Sequence, residues 1–165
     1  MRDSGYVHID SAGHEDLPQL ARLLWLHAAP EEQSAQSVES FAADLHGWWS
    51  EHEHSHTAFV ARGTACEIVG MAWVALLPRV PRPGAMRRLS ADIQSVYVVE
   101  EHRGHGVGSR LVQAASDHAQ TLGAGTVTVQ SGRRAVPVYE RLGFASSPQL
   151  LRRPFPTDTE TARPL

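Results

Sequence analysis

The sequence predicts a mixed α/β domain, and three observations predict it. Two apolar runs in mid-chain, Thr57–Arg62 and Ile68–Leu77, flank a turn containing Gly63 and read as an antiparallel hairpin. A strand, a glycine-rich turn and a helix then follow in succession, from Ile93-Gln94-Ser95-Val96-Tyr97-Val98-Val99 to Leu122. Beyond them short apolar strands and helical patterns alternate as far as Arg153.

Each element has its own signal. Tyr6–Asp10 alternates apolar and polar residues, as a half-buried strand does. Leu17, Leu20, Leu24 and His27/Ala28 recur at helical spacing, with Pro18 in a first turn that needs no N–H from it. Glu31–Val38 is polar and reads as a loop, and Phe41, Leu45, Trp48 and Trp49 mark a second helix. Prolines and Gly84 in Pro78–Gly84 forbid regular structure before a strand at Asp92–Val99. Val107, Leu111, Ala115, Ala119 and Leu122 form one helical face, stopped by Gly123 and Gly125. Thr126–Gln130 is a short strand, and Ala135, Val138, Tyr139 and Leu142 face inward on a last helix ended by Gly143. Phe144–Ser147 and Gln149–Arg153 read as weak terminal strands. Residues 1–153 are expected to form one domain, with 154–165 a flexible, Pro/Thr-rich tail.

Composition narrows the function classes. A net charge of −3, without a long single-sign run, gives no support for a nucleic-acid surface. No apolar segment is long enough to span a bilayer, and Met1–Asp10 carries no charged-then-apolar leader, so a cytoplasmic protein with no membrane partner is expected. Cys66 is the single cysteine; it has no disulfide partner within the chain and is expected to be a small buried residue.

The chemistry concentrates at Arg103-Gly104-His105-Gly106-Val107-Gly108. A strand feeding a glycine-rich turn into a helix aims several N–H groups, at the positive end of a helix dipole, at one point. That geometry binds phosphate. A Walker P-loop needs a lysine, and the chain contains none. A dinucleotide fingerprint needs glycine where Ser109 or Leu111 stands, and it should open the domain.

The pattern that remains, Arg/Gln-x-x-Gly-x-Gly/Ala after an apolar strand, resembles the acyl-CoA loop of the GCN5-related N-acetyltransferase (GNAT) family, with Arg103, Gly106 and Gly108 at its fixed positions. Ala135-Val136-Pro137-Val138-Tyr139-Glu140-Arg141-Leu142-Gly143-Phe144 resembles a second family segment, Ala-x-x-x-Tyr-x-x-x-Gly-Phe. The element order matches the family over Tyr6 to Arg153. The departure is Gly132, where many members carry an asparagine that contacts the cofactor. The resemblance implies a central, mostly antiparallel sheet with helices on both faces and a splayed pair of parallel strands. It implies acetyl-CoA as co-substrate, held by Val96, Tyr97, Val98 and Val99 of the strand, by Arg103, Gly104, His105, Gly106, Val107, Gly108 and Ser109 of the loop, and by Arg134.

By the same resemblance Tyr139 stands where the family's general acid protonates the leaving thiolate, although on the residues alone it reads equally as a core tyrosine. Carbonyl polarisation would come from a main-chain N–H near Val98, where the family's strand splays and pairs with the pantetheine arm. Alternation places Asp92, Gln94, Val96 and Val98 on one strand face. Asp92 matches the position where relatives carry a catalytic glutamate or histidine, and it would act through a water. Its other reading is a solvent-facing polar residue at a strand start.

His52, His54 and His56 would share one side of an extended backbone, but no cysteine or well-spaced carboxylate completes a metal set, and no metal is expected. The segment Ser50–Thr57 reads as an exposed connection; the resemblance implies that, with Trp48 and Trp49, it borders the acceptor pocket, while both tryptophans read equally as core. Arg79, Arg82, Arg87 and Arg88 crowd a solvated loop, and Arg133, Arg134 and Arg141 are better placed to meet the CoA 3′-phosphate. The expected activity is direct acetyl transfer to a primary amine, a small molecule before a protein amine. The alternative is a non-catalytic acyl-CoA-binding sensor. The resemblance implies a homodimer through the C-terminal strands, for which Leu150, Leu151 and Phe155 would supply the surface.

Overall fold

The computed structural model describes residues 7–155. The chain runs β1 (His8–Ser11), α1 (Leu17–His27), α2 (Pro30–Ala35), α3 (Val38–His52), β2 (His56–Arg62), β3 (Ile68–Pro78), β4 (Leu89–Val98), α4 (Val107–Thr121), β5 (Ala124–Val129) and α5 (Val136–Arg141). Single 3-10 turns occupy His14–Asp16 and Glu100–His102. The strands lie in sequence order; β1 to β4 pair antiparallel, and β4 pairs β5 in parallel.

β3 explains the layering. Residues 68–75 are all buried, because both faces of this strand are covered, and a strand covered on both faces reads as an unbroken apolar run. On one face Ala72, Val74, Ala91 and Ile93 pack under Val107, Leu111, Val112, Ala115 and Ala119 of α4. On the other, Ala58, Val60, Met71 and Trp73 pack under Leu17, Leu20, Ala21 and Leu23 of α1 and Leu45 and Trp49 of α3. Both layers are tied to the sheet by specific contacts. A Cβ at Gly70 would lie 3.1 Å from Leu111 Cδ1 and 3.1 Å from the Tyr97 carbonyl oxygen, so glycine lets α4 approach β3 closely. Asp16, before α1, accepts from both Arg62 nitrogens, Nη1 at 2.8 Å and Nη2 at 2.7 Å, and from the Gly13 N–H. This fork–fork pair fastens the start of α1 to β2. The Arg62 guanidinium holds the nearly buried Asp16 carboxyl below its ordinary value, against the opposing effect of burial.

Several expectations are corrected. Glu31–Val38 contains helix: Pro30 opens α2 and the Glu32 carboxylate caps the Ala29 N–H at 2.8 Å. β4 starts at Leu89 rather than Asp92, because its first residues pair with the end of β3. Phe144–Ser147 and Gln149–Arg153 are not strands; neither has a ladder partner among the described residues. Cys66 is exposed with φ of 62°, because the tight turn between β2 and β3 presents it to solvent. The first strand is observed as β1; Tyr6, expected to open it, and residues 156–165 of the tail lie outside the described residues.

Two outcomes follow from these contacts. Gly70→Val should cost about 2 kcal/mol by overpacking, lowering Tm by roughly 4–8 °C for a chain of this size; an unchanged Tm would show that α4 does not rest on that glycine. Arg62→Met should cost roughly 3 kcal/mol at neutral pH by leaving the Asp16 carboxylate buried without its partner. Because Asp16 is held low in the fold, the unfolded chain binds more protons as pH falls below 3.8, and stability is lost there. Denaturant midpoints at neutral and acid pH should show that loss in the parent protein and a smaller one in the variant.

Candidate active site

The loop before α4 is built for close approach to its backbone. Gly104 and Gly106 take φ of 77° and 76°, a conformation that costs a residue with a Cβ, and nothing lies within 4 Å of a Cβ built at either. Among the described residues, no N–H of residues 104–109 donates to a protein acceptor. These donors gather at the N-terminus of the 15-residue α4. Free N–H groups at a helix dipole's positive end hold oxyanions. Arg103 braces the loop: its Nε donates to the Val98 carbonyl at 2.8 Å, and its guanidinium lies 5.4 Å from the centre of the Tyr97 ring. His105 is exposed, Val107 is buried in the core, and Ser109 is half-buried in the first turn.

Beside the loop, the sheet opens. The β4–β5 ladder ends at the pair Ile93–Val129. At that level β4 carries a bulge: Trp73 pairs with Ser95 and Val74 with Ile93, leaving Gln94 without a partner on β3. The Val99 N–H donates to the Val69 carbonyl at 2.9 Å. By antiparallel alternation Tyr97 and Ser95 also direct their backbone groups to β3, so those of Val96 and Val98 point to the open edge. A cleft of about 240 Å³ lies there, walled by Gln94, Ser95 and Val96 on one side and Gln130, Ser131 and Gly132 on the other.

Tyr139 of α5 and His27 of α1 reach the same cleft from opposite sides of the sheet. Tyr139 is half-buried with its ring against Phe144, and its hydroxyl makes no hydrogen bond among the described residues. Burial pushes this phenol above its ordinary value, which keeps it protonated at neutral pH. Arg134 is exposed on the turn before α5 and does not line the cleft.

The bulge overturns one expectation. Asp92, Gln94, Val96 and Val98 do not share a face, because one extra residue inverts the alternation. Ile93, Val96 and Val98 all pack toward α4, whereas Tyr97 packs toward α1. Asp92 therefore faces the α1/α3 side, where the Thr128 hydroxyl donates to its Oδ1 at 2.9 Å. The histidines also depart from expectation. His52 ends α3, His54 lies in the turn, and His56 opens β2, so no extended backbone aligns them. Trp49 is core, 4% exposed, and its Nε1 donates to the His56 carbonyl. Trp48 is 39% exposed, stacked on His52 at 4.7 Å and edge-on to His56 at 4.9 Å. The buried indole N–H of Trp73 has no partner among the described residues.

Sequence reasoning missed His27, Ser95 and Gln130 as cleft residues. His27 was visible only as the last helical position before Ala28-Ala29-Pro30, and the other two only as polar interruptions near strand ends.

Known proteins share this sequence pattern and this geometry. The model of the Acetyltransferase (GNAT) family matches residues 18–144. Glucosamine 6-phosphate N-acetyltransferase of Trypanosoma brucei brucei is 31% identical over 85 residues, 52% of this chain and 56% of that protein, so the chain matches about half of that relative's length. A Bacillus subtilis (strain 168) protein, provisionally named phosphinothricin acetyltransferase YwnH, is 27% identical over 137 residues, 81% of each chain. The crystal structure of glucosamine-6-phosphate N-acetyltransferase from Arabidopsis thaliana shares the fold with a TM-score of 0.72, at 17% identity, over 92% of this chain and 99% of that one. The parallel pair β4–β5, open beyond Ile93 and Val129 inside a sheet covered on both faces, is thus the acyltransferase fold, and the chain belongs to the acetyltransferase (GNAT) family.

Proposed function

We propose that the chain transfers an acetyl group from acetyl-CoA to a primary amine by direct attack in a ternary complex, and that the acceptor is a small-molecule amine. One observation carries the reading. Val96 of the open strand edge and Tyr139 line one cleft in the sheet, and the loop with the free N–H groups of residues 104–109 lies against the end of the same strand, where Arg103 donates to the Val98 carbonyl. Members of the family use acetyl-CoA as co-substrate. The small-molecule preference is supported by two relatives named for acetylating glucosamine 6-phosphate and phosphinothricin.

In this reading Gly104, His105, Gly106, Val107, Gly108 and Ser109 hold the pyrophosphate through main-chain N–H groups, and Arg103 keeps the loop against β4. Arg134 meets the outer phosphate as a mobile cation. Val96, Tyr97, Val98 and Val99 present a strand edge to the pantetheine arm, and the outward N–H of Val96 or Val98 polarises the thioester carbonyl as its oxygen gains charge. Asp92 anchors the incoming ammonium group on the opposite face and relays its proton through water. After the amine adds to the carbonyl carbon and the C–S bond breaks, the Tyr139 hydroxyl protonates the thiolate. The nitrogen's remaining excess proton restores the phenol.

Turnover of acetyl-CoA against a panel of amines tests this. Tyr139→Phe should lower kcat by about 10²-fold, the scale of one general acid, while acetyl-CoA affinity stays within about two-fold of the parent. Equal turnover by the variant removes Tyr139 from the chemistry. Tight acetyl-CoA binding without turnover on any amine would instead make the chain a sensor.

A further inference from the structure

The hairpin joining β3 to β4 carries four arginines that the transfer reaction proposed above leaves unused. Residues 78–91 hold Arg79, Arg82, Arg87 and Arg88 and no acidic residue, in a chain whose net charge is −3. The prolines do not unwind it. Pro78 pairs with Leu89 at the end of the β3–β4 ladder, and the Arg79 N–H donates to the Arg88 carbonyl at 2.8 Å. Arg82 and Ala85 exchange two backbone hydrogen bonds, at 3.1 and 2.8 Å. The register is therefore kept to the tip, where Pro83 and Gly84, the latter with φ of 78°, supply the chemistry of a type II turn. The β2–β3 ladder reaches only to Ala75, and β5 pairs with β4 only from Leu89. The arm 79–88 thus projects past both neighbouring strands as a braced hairpin.

The charges of this arm are crowded and unmatched. Arg79 and Arg88 stand opposite each other, and like charges at paired positions repel. Among the described residues no carboxylate lies within ion-pair distance of any of the four arginines. Arg88 Nη1 donates to the Val80 carbonyl at 2.7 Å, which fixes that guanidinium on the arm and leaves its other N–H groups unspent. Arg79, Arg82 and Arg88, with Pro78, Val80 and Pro81, border an open hollow of about 450 Å³, and Arg87 stands outside it. Repulsion held in place by a rigid turn costs stability until an anion offsets it.

We propose that this hollow binds the phosphoryl group of a small phosphate ester, at a site separate from that of acetyl-CoA. A phosphoryl group gathers nearly two charges and three acceptor oxygens about one atom, enough to engage the guanidinium groups of Arg79, Arg82 and Arg88 together. A carboxylate brings one charge and two oxygens. A compact anion meets only the arm. An extended polyanion, such as nucleic acid or an anionic membrane, meets also the rest of a chain in which acidic residues outnumber basic ones.

The length of β4 separates the two sites. Arg88 precedes Gln94 of the cleft by about 20 Å of extended strand, and precedes Val98 by about 33 Å. The loop of residues 104–109 lies beyond Val98. An anion in the hollow is therefore neither the pyrophosphate assigned above to that loop nor part of a small acceptor whose amine occupies the cleft. The hollow is a second anion site, at the opposite end of the same strand.

NMR amide shifts of residues 79–88 during titration with inorganic pyrophosphate test this, with ionic strength held constant by sodium chloride. They read the arm apart from residues 104–109. The shifts should saturate, and chloride alone should not reproduce them. Arg82→Gln should weaken binding at the arm about tenfold, the worth of one charge-assisted hydrogen bond, whereas Arg87→Gln, outside the hollow, should change it less than about threefold. Without pyrophosphate, Arg82→Gln should leave Tm unchanged or raise it, because it relieves repulsion; an arginine that merely held the hairpin together would lower Tm on removal. Unsaturable drift that chloride reproduces, equal weakening by the two variants, or a lowered anion-free Tm in Arg82→Gln overturns the assignment. Tighter binding of citrate than of pyrophosphate overturns the choice of a phosphoryl group. If Arg82→Gln fails to fold, Arg79→Gln carries the same expectations.

Discussion

The site depends on the ending of one ladder. β4 and β5 run parallel and bonded to the pair Ile93–Val129, and there the pairing stops while β4 continues to Val98. Two N–H groups are released on an edge that would otherwise be covered, and a cleft opens between the strands. Unpaired strand edges are a hazard in most proteins. Here the edge is short, lies inside the fold, and adjoins a loop whose donors are also unspent. In the proposed function an extended, amide-bearing ligand ending in phosphates would satisfy both sets at once.

The Gln94 bulge has a second consequence. By inverting the alternation it sends Val96 and Val98 toward α4 while Asp92 and Tyr97 face α1. A regular strand would have put the carboxylate and the residues at the open edge on the same side. The bulge thus sends the residues at the open edge toward α4 and the loop before it, and leaves Asp92 on the side of α1. Gly70 draws α4 onto the first side, and the Asp16–Arg62 pair holds α1 on the second.

Much of this was legible in the residues. The glycine-rich turn before α4 was readable because glycine and helix-start chemistry are local, and the buried run of β3 because burial on both faces leaves no polar positions. The bulge was not readable: one extra residue carries no compositional mark, and strict period-two counting assigned Asp92 and Val98 to one face. α2 was hidden because a six-residue helix set by Pro30 and Glu32 has no apolar stripe. The surroundings of His27 and His56 were hidden for another reason. Their placement comes from α1 crossing the sheet and from strand pairing, and neither relation is local in sequence.

The central claim is that the open edge of β4 and the loop before α4 form one acetyl-CoA site. Backbone amide shifts in an NMR titration with acetyl-CoA test it most directly. The account predicts that the largest changes fall on residues 104–109 and on Val96 and Val98, saturating together as one binding event. Changes confined to other surfaces, or loop and strand amides that saturate at different ligand concentrations, would contradict it.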